Sequence, residues 1–331
     1  MALVIAIVLH AFIWQYAETR LLKLGEELSQ LVRGRPVNQV QRLDSDGIPY
    51  QTYADGSQHY NPLFVASVAN QLYEELPDSL ARARFIKLSD WLGKAMSRKG
   101  KALWLSYDFD YPKFEMKAPW HSALAQAEAM TVCARRWKLT RERVWLHRSQ
   151  ALAQSLKPPS ELTITMSINT MEDPGHKRRD GLWFMEYPGD KAPYVLNGHA
   201  AVLLELHRTW ELTSDPGLEK LFDRGFRGLR EAIRRFDKKG FSLYSAEGEL
   251  AGRAYHQKHI KQLMELIQIR PDPELDGYLD RWQRSDGYPV IVQLFFNPRP
   301  NRILAFGISL ILLWLLIWLL AGLLWRPGAL K

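Results

Sequence analysis

The chain has 331 residues, of which 47% are hydrophobic, and it carries a formal net charge of +8. This length and composition can bury a large core in one domain or two. The single cysteine, Cys133, excludes an intrachain disulfide, and the lack of zinc-finger spacing or of alternating basic and aromatic residues argues against a nucleic-acid partner.

The chain begins with an apolar segment, Ala2 to Trp14, which predicts a membrane segment over residues 1–17. The segment lacks a basic n-region and a small-residue cleavage site, so a cleaved signal peptide fits poorly. A juxtamembrane helix and linker are expected over residues 18–42, and four basic residues lie there: Arg20, Lys23, Arg33 and Arg35. The positive-inside rule then places the middle of the chain on the cytoplasmic face of a membrane such as the bacterial inner membrane, with the periplasmic face as the alternative.

A central domain is predicted over residues 43–290. It opens with a stretch rich in Gly, Asp and Pro, Leu43 to Pro62, and helical periodicity begins at Leu63. Two later stretches resemble each other, His121 to Leu156 and Asn197 to Ile233, since each reads as a helix, a Leu-Thr turn and a second helix. Repeated helical hairpins bury their faces only by stacking on neighbours. The pattern therefore predicts a mainly α fold, an α/α toroid built of helical hairpins with short β segments at its mouth.

Polar and aromatic segments separate the predicted hairpins: Trp104 to Trp120, Met171 to Gly198 and Gly240 to His259. In a toroid the connecting loops gather at one end, so these segments are the candidate mouth. The second contains "WFMEYPGDKAPYVLNG", which sets Glu186 beside Tyr187 immediately before a predicted helix. A carboxylate next to a phenol is suited to moving protons.

The C-terminal region is predicted to form a linker over residues 291–302, a transmembrane helix over 303–325 and a tail over 326–331. The stretch from Ile303 to Trp325 contains no charged residue and exceeds the roughly 20 residues that span a bilayer. Trp325, next to Arg326, is placed as an interfacial anchor.

No metal and no cofactor are expected. The sequence has no G-x-G-x-x-G, Walker or G-x-S-x-G motif. The acidic triplets Asp44 to Asp46 and Asp108 to Asp110 do not supply enough visible ligands for a hard cation. His256 and His259 share one helix face, but a zinc site needs a third ligand that nothing nearby supplies.

Several ordered segments between about residue 43 and residue 285 resemble the C-terminal catalytic domain of the D-glucuronyl C5-epimerases. They are "GIPYQTYADGSQHYNP", "PWHSALAQAEAM", "MEYPGDKAPYVLNG", "LYSAEG" and "YHQKHIKQL". Those enzymes convert glucuronate to iduronate within heparan-type polymers, on an α/α barrel. The resemblance implies an isomerase that acts on an acidic, heparosan-like polysaccharide without a cofactor. The apolar segments at residues 1–17 and 303–325 predict that it is held in the lipid bilayer. A homodimer and partners in polysaccharide synthesis stay open.

The resemblance also assigns the site. Glu186, Tyr187, Tyr244 and Tyr255 resemble the family's functional positions. Glu186 is assigned as proton acceptor or as the group that orients a tyrosine, and Tyr255 as the acid on the opposite face of the sugar. Tyr187 and Tyr244 are assigned to proton transfer or to contacts with the carboxylate. The remaining candidates are substrate-binding residues: Arg253, His256 and His259 for the carboxylate, and Trp120, His121, Trp183, Asn197 and Tyr60 for the sugar. The alternative for Asn197 is to cap a helix that begins at Gly198.

Two other functions remain open. One is a polysaccharide lyase or hydrolase on the same toroid, although a hydrolase needs paired carboxylates and Glu186 has no evident partner in these motifs. The other is a membrane-held, non-enzymatic scaffold that binds glycans, which would not need Glu186 and the tyrosines.

Overall fold

A computed structural model describes residues 7, 9–10, 13–14, 20, 41–53, 56–158, 164–167, 180–189, 192–288, 290–298 and 300–324. Most of the predicted N-terminal membrane segment, the juxtamembrane linker and part of the Met171 to Gly198 segment lie outside these residues, as do Trp325 and the tail. The described residues are mainly helical, which confirms the mainly α part of the predicted fold class.

In the described part of the chain, helices form four hairpins followed by two further helices. The hairpins are α1 (Pro62–Glu74) with α2 (Ser79–Ala95), α3 (Ala123–Thr140) with α4 (Arg143–Ser155), α5 (Leu196–Thr213) with α6 (Pro216–Ala232), and α7 (Arg253–Ile269) with α8 (Pro273–Asp286). The last two helices are α9 (Val290–Phe296) and α10 (Pro300–Leu324).

The hairpins stack in two layers, as the predicted α/α barrel requires. The odd-numbered helices α1, α3, α5 and α7 pack side by side in that order, and each carries its even-numbered partner on the outside. Within each hairpin the inner helix is accordingly more apolar than its outer partner, and almost every residue of α3 from Ala123 to Arg136 is buried. In the outer helix α6, by contrast, apolar positions such as Leu218, Leu221 and Phe222 form a single buried stripe.

Local sequence explains where the hairpins begin and turn. The side chain of Ser122 accepts a hydrogen bond from the amide of Ala125 and so caps α3, and Asn61 caps α1 in the same way through Phe64. The two Leu-Thr pairs form the last turn of α3 and of α5. The next residues, Arg141 and Ser214, adopt left-handed conformations with φ of 62° and 56°, which ends each helix.

Short antiparallel strands fill the links that lead from an outer helix to the next inner helix. These pairs are β4 (Ser97–Lys99) with β5 (Ala102–Trp104), β6 (Thr165–Ser167) with β7 (Leu182–Phe184), and β8 (Asp237–Lys238) with β9 (Phe241–Ser242). A sheet of β1 (Gln41–Leu43), β2 (Pro49–Thr52) and β3 (Gln58–His59) precedes α1. All these strands therefore lie at the end of the barrel where the inner helices begin, as predicted for its mouth.

The helix α10 is the one described helix that is long and apolar enough to cross a membrane. Its candidate span runs from Arg302 to Gly322, with a mean hydropathy of 2.8 and none of its most apolar stretch buried. Residues from the N-terminal segment contact it. The His10 Nε2 atom lies 2.7 Å from the Ser309 hydroxyl, and the Trp14 ring packs edge-on against Phe306.

Candidate active site

Glu186 sits at the centre of the barrel mouth. It follows β7, whose end is fixed because the amide of Met185 donates to the carbonyl of Ile164 and the carbonyl of Met185 accepts from the amide of Ala123. The side chain of Glu186 lies against the first turn of α5. A Cβ added to Gly198 would lie 2.5 Å from Glu186 Oε2 and 2.8 Å from Glu186 Cβ, so only glycine leaves room for the carboxylate here.

The environment of Glu186 raises the pKa of its carboxyl. The largest cause is burial, since only 9% of the residue is exposed. A hydrogen bond with Tyr187 and the positive charges of Lys258 and Lys113 oppose the shift. Oε2 of Glu186 has no hydrogen-bond partner among the described residues. The result is a carboxylate that is more basic than usual and has a free oxygen.

Tyr187 connects Glu186 to an aromatic wall. Its ring stacks on that of Tyr111, with centroids 5.5 Å apart and planes within 5°, and packs against Phe114 at 4.8 Å. Burial, with the Glu186 charge next in size, places the pKa of the Tyr187 hydroxyl far above its ordinary value. Tyr187 is therefore a neutral phenol at physiological pH.

Tyr244 and Tyr255 form a second aromatic pair in the mouth, and Tyr187 packs against the cluster that contains Tyr244. The rings of Tyr244 and Tyr255 meet edge to face with centroids 4.9 Å apart. Tyr244 is buried and held by its backbone, whose carbonyl accepts from Leu196 at the start of α5. Tyr255, in the first turn of α7, is 42% exposed. In both phenols burial, then the charge of Glu186, raises the pKa. The charge of Glu186 thus reaches all three predicted tyrosines, and the four predicted catalytic residues lie together.

The sequence analysis missed four residues that the structure places in this mouth. Burial, with Glu186 as the next cause, raises the pKa of Tyr107 and of Tyr111, so both belong to the same electrostatic cluster. Lys113 lies with its Nζ 4.8 Å from the Phe114 ring centroid and 6.0 Å from that of Tyr244. Lys258 lies three residues after Tyr255 on α7, a spacing that places both on one helix face. That spacing was the available signal for Lys258.

The inner helices direct their positive ends at the mouth. All four begin at this end of the barrel, and helix N-termini favour negative charge. Among the described residues no side chain caps α5 or α7, whose first residues follow Val195 and Gly252. The positive ends of these two helix dipoles are therefore not occupied by a capping side chain, and such helix N-termini favour anions.

Burial removes three sequence-predicted residues from direct contact with a sugar. Trp183 is fully buried, stacked between His199 at 4.0 Å and Phe236 at 5.3 Å, so it is a core residue. His256 and His259 do share a face of α7, but that face points into the protein. Each places its Nδ1 2.8 Å from the hydroxyl of Ser242. They fix α7 against β9 and do not form a polar wall of the site.

Three other residues predicted to bind the sugar or its carboxylate instead contact other residues of the protein. Asn197 is buried. It is not a helix cap either, because α5 begins at Leu196, and the backbone carbonyl of Asn197 accepts a hydrogen bond from the side chain of Gln262. Arg253 lies 3.8 Å from Asp286 in an ion pair. The hydroxyl of Tyr60 donates to Asp44 at 2.6 Å, beside the N-terminal sheet.

Trp120 and His121 support the mouth from behind. Trp120 is nearly buried, and its ring stacks on that of Tyr107 with centroids 3.7 Å apart while its Nε1 donates to Phe109. His121 is partly exposed and lies 2.9 Å from the carbonyl of Leu105 through Nδ1. Trp120 thus positions the tyrosine cluster. Within the described part of the chain, no group of three or more His, Cys, Asp or Glu side chains is arranged to hold a metal ion.

The sequence model of the family described as "D-glucuronyl C5-epimerase C-terminus" matches residues 99–284, more than half of the chain. The matched range contains Glu186 and the tyrosine cluster around it.

The curated relatives that this chain matches include the following two proteins. An uncharacterized protein of Methanocaldococcus jannaschii is 23% identical over 177 residues, which cover 54% of this chain and 56% of the relative. A D-glucuronyl C5-epimerase of Caenorhabditis elegans is 26% identical over 221 residues, which cover 60% of this chain and 34% of the relative. The chain thus spans about half of the first relative and a third of the second.

Solved structures with the same fold include a sugar epimerase from a ruminal bacterium and the cellobiose 2-epimerase of Spirochaeta thermophila. The first has a TM-score of 0.53 at 12% identity, and the match covers 86% of this chain and 75% of the chain of that epimerase. The second has a TM-score of 0.52 at 11% identity, and the match covers 73% of this chain and 63% of the chain of the cellobiose 2-epimerase. These likenesses concern the fold alone. The family match establishes more, and the chain belongs to the D-glucuronyl C5-epimerase family through the C-terminal domain of those enzymes.

Proposed function

We propose that this protein is a membrane-anchored polysaccharide uronate C5-epimerase, which converts D-glucuronate to L-iduronate within an acidic polymer. Membership of the family supports the reaction class. The observation that carries the proposal is the buried carboxyl group of Glu186. Its Oε2 has no hydrogen-bond partner among the described residues, and its pKa is raised. It lies among phenols at a mouth where helix N-termini converge.

In the proposed reaction Glu186 is the base. Its carboxylate takes the proton from C5 of the uronate, and the electron pair of the C–H bond passes into the adjacent carboxylate to give an enediolate. This charge is costly unless cations or hydrogen-bond donors neutralise it. Lys113, Lys258 and the uncapped first turns of α5 and α7 are the groups that would do so.

Tyr255 is the proposed acid on the other face of the sugar. Its raised pKa keeps the phenol protonated, so it has a proton to give to C5. The resulting phenolate regains a proton from water, since Tyr255 is 42% exposed, while protonated Glu186 releases its proton to solvent. The sum is an inversion at C5 with no net oxidation, so the reaction needs no redox cofactor.

We propose further that residues 43–290 form the catalytic domain and that the segments at residues 1–17 and 303–325 hold it at the bilayer. Residues 18–42 and 291–302 connect these parts, and the second connection, predicted as a linker, contains most of α9 and the first residues of α10. The apolar span in α10 supports the anchor. The basic residues after the first segment favour the cytoplasmic face.

The function is tested by incubating the purified full chain with an unsulfated glucuronate polymer in D₂O and recording proton NMR spectra. We expect the C5 proton signal to disappear and iduronate signals to appear. A lyase would instead form an unsaturated uronate that absorbs in the ultraviolet, and a binding scaffold would leave the polymer unchanged. Either result overturns the proposal.

The role of Tyr255 is tested with Tyr255→Phe, which removes one transferable proton and little volume. We expect a loss of inversion of about 10²–10⁴-fold. Tyr278→Phe is the matched control, because Tyr278 lies on the outer helix α8 against Arg281, and it should epimerise at the wild-type rate. Equal rates for the two variants would exclude Tyr255 as the acid.

A further inference from the structure

The short helix α9 is oriented with its polar side toward the protein and its apolar side outward. Ile291 and Phe295, four residues apart on one face, are 49% and 78% exposed. Gln293, on another face, and Asn297, the first residue after α9, are buried. A helix that packs on a protein core normally turns its apolar face to the core and its polar face to water, so the faces of α9 are reversed.

Hydrogen bonds fix α9 in this orientation. The side-chain amide of Gln293 donates to the carbonyls of Asp286 and Tyr288, and its oxygen accepts from Arg302 at 2.7 Å. The side-chain amide of Asn297 donates to the carbonyl of Ala251 at 3.1 Å. The outward direction of Ile291 and Phe295 is therefore built into the fold.

A basic turn lies beside this apolar face. The tip of the β8–β9 hairpin carries Lys238 and Lys239, both exposed, and Nζ of Lys239 lies 5.9 Å from the ring centroid of Phe296. Apolar side chains flanked by lysine are typical of segments that bind an anionic membrane surface. The apolar side chains insert among the acyl chains, and the lysines are attracted to the negative headgroups. Continuity supports the same partner, because α10, the apolar helix, begins at Pro300, four residues after α9 ends.

We propose that the face of α9 formed by Ile291 and Phe295 lies in the headgroup–acyl boundary of an anionic bilayer, with Lys239 on the headgroups. The inference rests on the proposed membrane anchor. It also concerns the site, because Ala251, which accepts the hydrogen bond from Asn297, packs with Val195 and Tyr244. The membrane contact thus holds the mouth of the barrel near the bilayer surface, where the polymer substrate would be met.

The test uses the full chain in nanodiscs that contain anionic lipid. Phe295→Cys is labelled with an environment-sensitive fluorophore, and wild-type protein checks that the buried Cys133 stays unlabelled. Nitroxide lipids carry the quencher either just below the headgroups or deep in the acyl region. Leu80→Cys is the matched control, since Leu80 is 68% exposed on the distant outer helix α2, and Leu319→Cys reports on the span itself.

We expect the label at position 295 to shift its emission to the blue and to lose most of its fluorescence to the shallow quencher, while the label at position 80 does neither. A water-exposed, unquenched label at 295 overturns the inference. So does a blue-shifted label that no lipid quenches, which would mean that a second copy or another protein covers this face. If position 319 is quenched by the deep quencher while 295 is not, the anchor stands and only this inference fails. If neither is quenched, both fail.

Discussion

Glu186 occupies a position that is unfavourable for a carboxylate. Its Oε2 is buried without a partner among the described residues, and burying an unpaired charge costs free energy. The Glu186 side chain also requires glycine at position 198. Such an arrangement is expected where a chemical role, and not stability, determines the residue, because strongly perturbed groups concentrate at functional sites.

The first prediction concerns Glu186→Gln, which keeps the shape and removes the charge. We expect C5 exchange and epimerisation to fall by about 10²–10⁴-fold. We also expect the variant to unfold at a higher temperature at pH 8. The pKa of Glu186 is raised in the folded state, so its ionised form, which dominates in the unfolded chain at that pH, destabilises the fold. NMR exchange and thermal unfolding measure the two effects.

Glu249→Gln is the control for this prediction. Glu249 is an exposed carboxylate whose charge also reaches Tyr244 and Tyr255. It should keep nearly full activity. A Glu186→Gln enzyme that is fully active, or one that is inactive only because it fails to fold, would show that Glu186 is a packing residue.

A second prediction uses the pH dependence of kcat/KM, which reports the free enzyme. If Glu186 is the base, activity is lost as the pH falls through its raised pKa. Lys258 lowers that pKa, so Lys258→Gln should raise it and move the acidic limb of the profile to higher pH. Lys261→Gln, an exposed lysine one turn along α7, should leave the limb in place. If the acidic limb does not move in Lys258→Gln, then Lys258 does not lower the pKa of the catalytic base.

At the scale of elements, the start of α5 decides where the base lies. The chain could begin α5 without glycine, and alanine in a helix is favoured over glycine by about 0.5–1 kcal/mol. At position 198 the close contact with Glu186 opposes this stabilisation by alanine, because an added Cβ would force the carboxylate away.

We therefore predict that Gly198→Ala stays folded but loses most of its activity, at least about tenfold, because small displacements of a catalytic group are costly. Gly277→Ala is the matched change in α8, where an added Cβ meets only Arg281 at 3.8 Å, and it should be fully active. Circular dichroism and the NMR assay distinguish the effects. Full activity in Gly198→Ala would mean that the position of Glu186 is not critical.

The helical hairpins could be predicted from sequence because period and turn signals are local. The repeat units His121 to Leu156 and Asn197 to Ile233 correspond to α3 with α4 and to α5 with α6. The direction of individual side chains could not be predicted in this way. Trp183 lies in a mouth segment but on β7, where alternate residues face opposite sides, and its ring turns into the core.

The same limit applies to the site. The resemblance gave Glu186 and three tyrosines, and these lie together. Tyr111 and Lys113 belong to a segment that contains only isolated β-bridges and one short 3-10 turn, Pro112–Phe114, so no periodicity indicates which side chain reaches Glu186. Their role emerges only when the stacking of Tyr111 on Tyr187 brings two distant segments together.

At the scale of the whole molecule, two residues from the N-terminal segment contact the C-terminal helix α10. The contacts of His10 with Ser309 and of Trp14 with Phe306 join the N-terminal segment to α10. An interhelical hydrogen bond in a membrane contributes about 0.6 kcal/mol on average, so the pairing depends mainly on the packed surfaces. A membrane pair formed by the two ends would place the whole barrel on one side of the bilayer.

The last prediction follows from this pairing. Deleting residues 303–331 should weaken membrane retention but not abolish it, because the N-terminal segment is expected to hold the chain as well. Deleting residues 1–17 together with 303–331 should release a folded barrel that still exchanges C5 hydrogen, since Glu186 and its tyrosines lie outside both segments. Carbonate extraction followed by immunoblotting measures retention.

The control replaces residues 303–325 with an unrelated apolar helix of equal length, which should restore retention by hydrophobic length alone. If the chain without 303–331 resists extraction as strongly as the full chain, α10 is not the anchor. If the double deletion stays in the membrane fraction, the barrel itself binds lipid, and the apolar face of α9 becomes the region to remove next.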